Sequence, residues 1–157
     1  MGKVGCSHFV RPAKMGDIDS CVKLSEASWP EWWAGNYDLG EKHIRECVHA
    51  GRCLVAEDGE KVVAFIVWGT LWNKVHLQDI FVVDGLRGSG IGTSLVQEVE
   101  KIARSQGFKE IVSDCDTINR ESIDFHIANG FEVSGLIEKN WDDDDSVTFS
   151  KKIAKTK

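Results

Sequence analysis

The apolar run Phe81-Val82-Val83 passes through Asp84-Gly85-Leu86-Arg87 into Gly88-Ser89-Gly90-Ile91-Gly92-Thr93 and a stretch of helical periodicity. No other segment limits the fold as strongly, because a strand must end here, turn on glycines and open a helix. Three glycines on alternate positions remove the side chains that would hold a diphosphate away from the backbone. The helix that follows offers unpaired N–H groups and the positive end of its dipole. The segment reads as a phosphate cradle, and its plain alternative is a tight strand-to-helix connection.

At 157 residues the chain suits one domain, residues 1–157, able to bury roughly two thirds of its unfolded surface. Cys6, Cys21, Cys47, Cys53 and Cys115 are odd in number and lack CxxC or Cys/His ligand spacing. They read as reduced thiols of a cytoplasmic protein with no metal. No signal-peptide pattern opens the chain, and no apolar run reaches the ~18 residues of a membrane span. A formal net charge of −6 argues against nucleic acid as a partner and favours cationic small molecules.

There are no repeats or low-complexity linkers, and only two prolines. A short strand near Phe9 to Arg11 leads through Pro12 and Asp17 into a helix bearing Ile18, Cys21, Val22 and Leu24. A second helix spans about Leu39 to His49 and ends at Gly51. Cys53 to Glu57 and Lys61 to Trp68 form a hairpin through Asp58-Gly59. A strand from Val75 to Val83 precedes the glycine turn. The next helix carries Ile91, Leu95, Val96, Val99, Ile102 and Ala103 on one face and stops near Gly107. Lys109 to Asp114 is a strand, followed by a helix with Asn119 as N-cap and Gly130 at its end. Phe131 to Glu138 and Ser146 to Lys152 are the last strands. The order βααβββαβαββ is mixed α/β (α+β).

Three nucleotide motifs compete for the glycine turn. A Walker A loop needs Lys before the Ser/Thr that follows its last glycine, whereas Thr93 follows Gly92 directly. A dinucleotide fingerprint needs GxGxxG, and Gly88, Gly90 and Gly92 give GxGxG. The third pattern, Arg/Gln-x-x-Gly-x-Gly/Ala, is matched by Arg87, Gly90 and Gly92 after a strand and at a helix start.

On these residues, and on its element order, the chain resembles the GNAT superfamily of acetyl-CoA-dependent N-acetyltransferases from about Phe9 to Ile153. The resemblance implies a mostly antiparallel central sheet of about seven strands with helices on both faces. It further implies that Arg87, Gly88, Ser89, Gly90, Ile91, Gly92 and Thr93 hold the pyrophosphate of acetyl-CoA. Ile80, Phe81, Val82 and Val83 would pair with the pantetheine arm where this strand splays from Lys109 to Asp114. In Asn119-x-x-Ser122-x-x-Phe125-His126-x-x-x-Gly130-Phe131, Asn119 and Ser122 match cofactor-contacting positions, and an N-cap role for Asn119 is compatible.

Amine acetylation sets its own demands. An ammonium with pKa near ~10 has no lone pair and must lose a proton before attack. The developing oxyanion needs N–H donors, and a departing thiolate, of thiol pKa about 8.5, benefits from an acid. Asp79, a charge inside an otherwise apolar strand, is the candidate base, directly or through a water; an exposed strand face or a salt bridge is its plainer role. The resemblance places a carboxylate base there in some aminoglycoside-acetylating members, while Gln78 stands where other relatives carry glutamate. His126 replaces the tyrosine most members use as acid, and either supplies that proton or only packs and hydrogen-bonds. Cys115 as an acyl carrier is disfavoured, since members transfer directly and buried cysteine is usually a small apolar residue.

Trp29, Glu31, Trp32 and Trp33 combine indoles and a carboxylate where this superfamily builds its acceptor pocket, and Asp142 to Asp145 place four carboxylates in the turn between the last strands. Both attract cations; the indoles serve equally as core or homodimer contacts, and the aspartates as a solvated hairpin tip. Trp29-Pro30, Ser113-Asp114, Asn119, Ser122, His126 and Gly130-Phe131-Glu132 are similar, more loosely, to aminoglycoside 6'-N-acetyltransferases, which adds Asp114 to the acceptor residues. The expected function is acetyl transfer from acetyl-CoA to a primary amine of an aminoglycoside-like or polyamine-like cation. Acetylation of a protein or peptide amine and a non-catalytic acyl-CoA sensor are the alternatives.

Overall fold

The computed structural model describes residues 7–28, 37–141 and 144–153, with 37–39 and 141 described by backbone alone. Its elements follow the sequence periodicities: β1 (His8–Pro12), α1 (Ile18–Ser28), α2 (Tyr37–His49), β2 (Cys53–Asp58), β3 (Lys61–Leu71), β4 (Lys74–Val82), α3 (Ile91–Ser105), β5 (Glu110–Asp116), α4 (Arg120–Ala128), β6 (Glu132–Trp141) and β7 (Asp144–Lys152). The Asp58-Gly59 signal becomes a two-residue hairpin in which Asp58 pairs with Lys61 and Gly59 takes φ +64°. The three later helices end alike: the sixth residue of the motif donates back across the last turn, as Arg52 to Cys47, Phe108 to Ala103 and Phe131 to His126, the Schellman arrangement.

Seven strands form one sheet in the order β1-β2-β3-β4-β5-β7-β6. β4 and β5 run parallel, while β1–β2, β2–β3, β5–β7 and β6–β7 are antiparallel. With four helices, this is the mixed, mostly antiparallel α/β architecture expected. Packing divides the chain into two units: Met1–Trp68 with Asp79–Glu98, and Gly69–Gln78 with Val99–Lys157.

In the first unit, Ile18 and Cys21 of α1 and Ile44, Cys47 and Val48 of α2 close over Cys53, Val55, Phe65 and Val67 of the sheet, with Phe81 packed against them. Leu54, Ala56, Ala64 and Ile66 alternate to the opposite face and are buried too, so both faces of β2 and β3 are covered. Each buried Val, Leu, Ile or Phe among them contributes about 1.5–3 kcal/mol. Cys21, Cys47, Cys53 and Cys115 are unbridged. The Cys53 thiol is pushed well up, first by its hydrogen bond with Cys21 and then by burial.

Arg11 ties β1 to the start of α1. It donates to both oxygens of Asp17, at 2.7 and 3.0 Å, and to Glu57 of β2. The Arg11 guanidinium holds the Asp17 and Glu57 carboxyls below their ordinary values. Carboxyls depressed in the folded state stabilise it above their unfolded pKa values, near ~4, and that stability is lost as pH falls through the folded values. Arg11→Met should therefore cost about 2 kcal/mol at neutral pH and much less near pH ~2, measured by denaturant unfolding at both.

In the second unit, Glu100 of α3 is a buried carboxylate held by Arg104 at 3.0 Å and by Lys151 of β7. Asp144 and Asp145 do not sit in the tip of the last hairpin but are the first residues of β7, because Asp144 pairs with Trp141 and Asp145 Oδ1 accepts the Lys139 N–H at 2.9 Å. Asp142 lies outside the described residues, as does residue 143.

Candidate functional site

The glycine turn is built as a cradle. Gly88 and Gly90 take φ +74° and +91°, a region costing a residue with Cβ about 1–3 kcal/mol. Gly92 instead lies in the first turn of α3, so only two of the three glycines are demanded by backbone conformation. A Cβ built at Gly85, Gly88 or Gly90 meets no heavy atom within 4 Å, so the space above the turn is open. The first bond of α3 is Ser94 N–H to Gly90 C=O at 3.0 Å, which leaves the Ile91, Gly92 and Thr93 amides as the unpaired donors of a helix start. Open space, bare backbone and orphan amides at a positive dipole end suit a diphosphate.

The Arg87 side chain braces this turn. Its guanidinium donates to the Val82 carbonyl at 3.2 Å, pairs with Asp84 at 3.1 Å and reaches Ser28 Oγ at 3.4 Å. Ser89 N–H donates to the Leu86 carbonyl at 3.3 Å. Ile80, Phe81 and Val82 lie on β4, and the Phe81 ring rests 5.3 Å from that of Phe65. Val83 departs from expectation. It lies beyond the strand, its N–H donates to Val63 and its carbonyl accepts from Leu86, so its one donor is already spent within the protein.

Asp79 sits on β4 at the near end of this segment, with its side chain one third exposed. His43 of α2 places Nε2 3.8 Å from its Oδ2. The same Nε2 lies 3.8 Å from Cys47 Sγ. Burial pushes the Cys47 thiol up, and Asp79 adds to that push. Sequence reasoning did not single out His43, although its i,i+4 spacing from Cys47 on an amphipathic helix placed both on one face.

His126 is a satisfied interior histidine. It is 4% exposed, stacks on Phe149 at 4.3 Å and 8°, and meets Phe131 edge-on at 5.4 Å. Nδ1 lies 2.7 Å from the Ser122 carbonyl and so carries the proton, which leaves Nε2 to accept from Ser113 Oγ at 2.8 Å. Burial pushes its pKa below the ordinary imidazole value. Of the two roles open to His126 these contacts support packing and hydrogen bonding: its one ring proton is held by the Ser122 carbonyl, Nε2 accepts from Ser113, and burial opposes charging the ring. Because the folded value is depressed, His126 stabilises the fold fully above the unfolded pKa of ~6.5, and that contribution is lost as pH falls toward the folded value. Wild type should lose thermal stability from about pH 7 to 5, and His126→Gln should flatten that part of the curve.

Asn119 and Ser122 serve α4 itself, since Asn119 Oδ1 accepts the Ser122 N–H at 3.1 Å, a true N-cap. Asp114 has two partners. His76 of β4 brings Nε2 within 3.2 Å of Oδ1, and Asn140 of β6 donates Nδ2–H to Oδ2 at 3.4 Å. Asp116, on the same strand, has its carboxyl raised by burial and then by Asp144 and Asp114. His76, flanked by buried Val75 and Leu77, escaped sequence reasoning, although one polar residue between two apolar strand neighbours faces the opposite side. Trp29, Glu31, Trp32 and Trp33 lie outside the described residues.

Residues 18–131 match the Acetyltransferase (GNAT) family. An N-alpha-acetyltransferase of Sulfurisphaera tokodaii is 27% identical over 143 residues, covering 83% of this chain and 83% of its own length. An aminoglycoside N(6')-acetyltransferase type 1 of Acinetobacter baumannii is 30% identical over 129 residues, with 70% and 88% covered. The crystal structure of PaiA N-acetyltransferase from Thermoplasma acidophilum, in complex with coenzyme A, superposes with a TM-score of 0.71 at 23% identity, over 93% of this chain and 99% of that one. With the family matched over residues 18–131, most of its length, and a relative 30% identical over 70% of it, the chain belongs to the GNAT acetyltransferase family.

Proposed function

We propose that this acetyltransferase carries an acetyl group from acetyl-CoA to a primary amine of a small cation of aminoglycoside or polyamine type. Acetyl-CoA, when bound, supplies the acetyl group activated as a thioester. The residues fit it: the amides of Ile91, Gly92 and Thr93, beside the bare backbone of Gly88 and Gly90, would take the pyrophosphate, and the backbone of Ile80 to Val82 would take the pantetheine arm. Asp79 would accept the proton that an ammonium must shed, with His43 adjacent to pass it on. The proton leaving the amine ends in solvent through this pair. No proton transfer is assigned to His126.

The observation that carries the cationic acceptor is the crowding of Asp114, Asp116 and Asp144, close enough that the first and last raise the Asp116 carboxyl. Such a negative field attracts polyamines and repels acidic peptides. Likeness to an N-alpha-acetyltransferase favours a second reading, acetylation of protein N-termini. Release of CoA thiol should be measured with 1,4-diaminobutane, spermidine, kanamycin and unstructured peptides bearing free N-termini. Turnover of the first three supports the proposal, and turnover of peptides alone replaces it with the second reading. Acetyl-CoA binding without release from any acceptor would leave a sensor.

A further inference from the structure

His8 opens β1 at one edge of the sheet, opposite Asp58. Two residues on, Val10 pairs with Ala56, so His8 shares the sheet face that lies away from α1 and α2. Its half-buried ring places Nε2 2.8 Å from Ser94 Oγ, at the start of α3. Ser94 spends both of its donors on one acceptor: its N–H and its hydroxyl meet the Gly90 carbonyl at 3.0 and 3.1 Å. A hydroxyl has a single hydrogen. Gly90 takes it, so the His8 Nε2–H is the donor to Ser94. Hydrogen bonds thus run from β1 through Ser94 to the glycine that precedes α3.

The Gly90 carbonyl and the Ile91 N–H belong to one peptide unit. No peptide bond among the described residues is cis, so this unit is planar and its two polar groups point in opposite directions. Turning the carbonyl into α3 therefore aims the Ile91 N–H out of the helix, toward the open space above the turn. Gly90, at φ +91°, is poorly suited to hold that plane alone, because a residue without Cβ rotates freely about its own bonds. The Ser94 N–H supplies the bond that any helix start has. The hydroxyl adds a second, and His8 fixes the rotor that makes it. We infer that His8 is a positioning residue for the acetyl donor: through Ser94 it locks the Gly90–Ile91 peptide, so that the Ile91 amide is aimed before acetyl-CoA arrives. The inference rests on the reading of the glycine turn as the pyrophosphate site and adds to it a residue 86 positions away from Ser94. Setting the amide in advance removes an ordering cost from the binding step. Arg87 braces the strand end of the turn through Val82 and Asp84, and His8 braces the helix end.

The test is the dissociation constant of acetyl-CoA, measured by calorimetry for wild type, His8→Phe, His8→Gln, Ser94→Ala and the double variant His8→Phe/Ser94→Ala. His8→Phe keeps a ring and loses the donor, and should bind about fivefold more weakly, the worth of one hydrogen bond. Ser94→Ala should lose at least as much, while alanine's higher helix propensity keeps α3 formed. Both changes act on the same peptide unit, so the double variant should bind as Ser94→Ala alone does. His8→Gln returns an N–H donor and should recover most of the lost affinity. A role in fold stability alone would make the two losses additive and would appear in thermal unfolding of the unliganded protein. Wild-type affinity in His8→Phe, additive losses in the double variant, or no recovery in His8→Gln overturns the inference. If Gly90→Ala weakens binding while His8→Phe and Ser94→Ala do not, the assignment of His8 alone fails. If Gly90→Ala binds acetyl-CoA as wild type does, the phosphates lie elsewhere, and the cradle reading fails together with the inference.

Discussion

Asp79→Asn is expected to lower turnover of a cationic amine by about 10²- to 10⁴-fold at pH 7, the usual contribution of a positioned base. The carboxylate is one third exposed and 3.8 Å from the His43 ring, so it is reachable by substrate and has a neighbour able to take the proton onward. Asparagine keeps the shape and removes the proton acceptor. The deficit should shrink as pH rises toward the ~10 at which the amine loses its proton unaided. A structural role would instead lower the rate by one factor at every pH, together with thermal stability. The measurement is CoA thiol release across pH, with acetyl-CoA binding as the control for folding. Full rate in Asp79→Asn at every pH would remove the base assignment and leave the family membership untouched.

Gly90→Ala is expected to weaken acetyl-CoA binding by about ten- to a hundredfold. Its φ of +91° makes any side chain costly by about 1–3 kcal/mol, but the added Cβ meets no protein atom within 4 Å, so the fold has room for it. What the methyl group enters is the space that the proposed function gives to the phosphates. Loss of one or two hydrogen bonds to a charged group, about 1.5–3 kcal/mol each, sets the size of the effect at 1.4 kcal/mol per tenfold. Gly16→Ala also places its Cβ in open space but at an unstrained backbone, and should bind as wild type does. Calorimetric titration of both variants separates a general cost of replacing glycine from a local one.

Much of this could be read from residue order, and what was missed has a common cause. The cradle was legible because glycine spacing, a preceding apolar strand and an amphipathic helix are local signals, and each constrains the backbone directly. Asn119 was legible as a cap for the same reason, with its acceptor three residues from the amide it meets. The function of single side chains was not. His126 stood in a catalytic position of the family pattern, yet its role follows from Ser113 and Phe149, distant in sequence and brought to it by the β5–β7 register. The His43–Asp79 and His76–Asp114 pairs join residues 36 and 38 positions apart, so no window along the chain contains them. The apolar character of Val83 continues that of Val82 and extends the cofactor strand on sequence alone. Its N–H is instead spent on Val63, a partner that periodicity does not name.

The position of the donor's phosphates is the most direct test of the glycine turn as their cradle. A crystal structure of the protein with acetyl-CoA should place the pyrophosphate oxygens ~2.7–3.2 Å from the backbone N–H groups of residues 91–93. A pyrophosphate bound elsewhere, with the glycine turn facing only solvent, would contradict it.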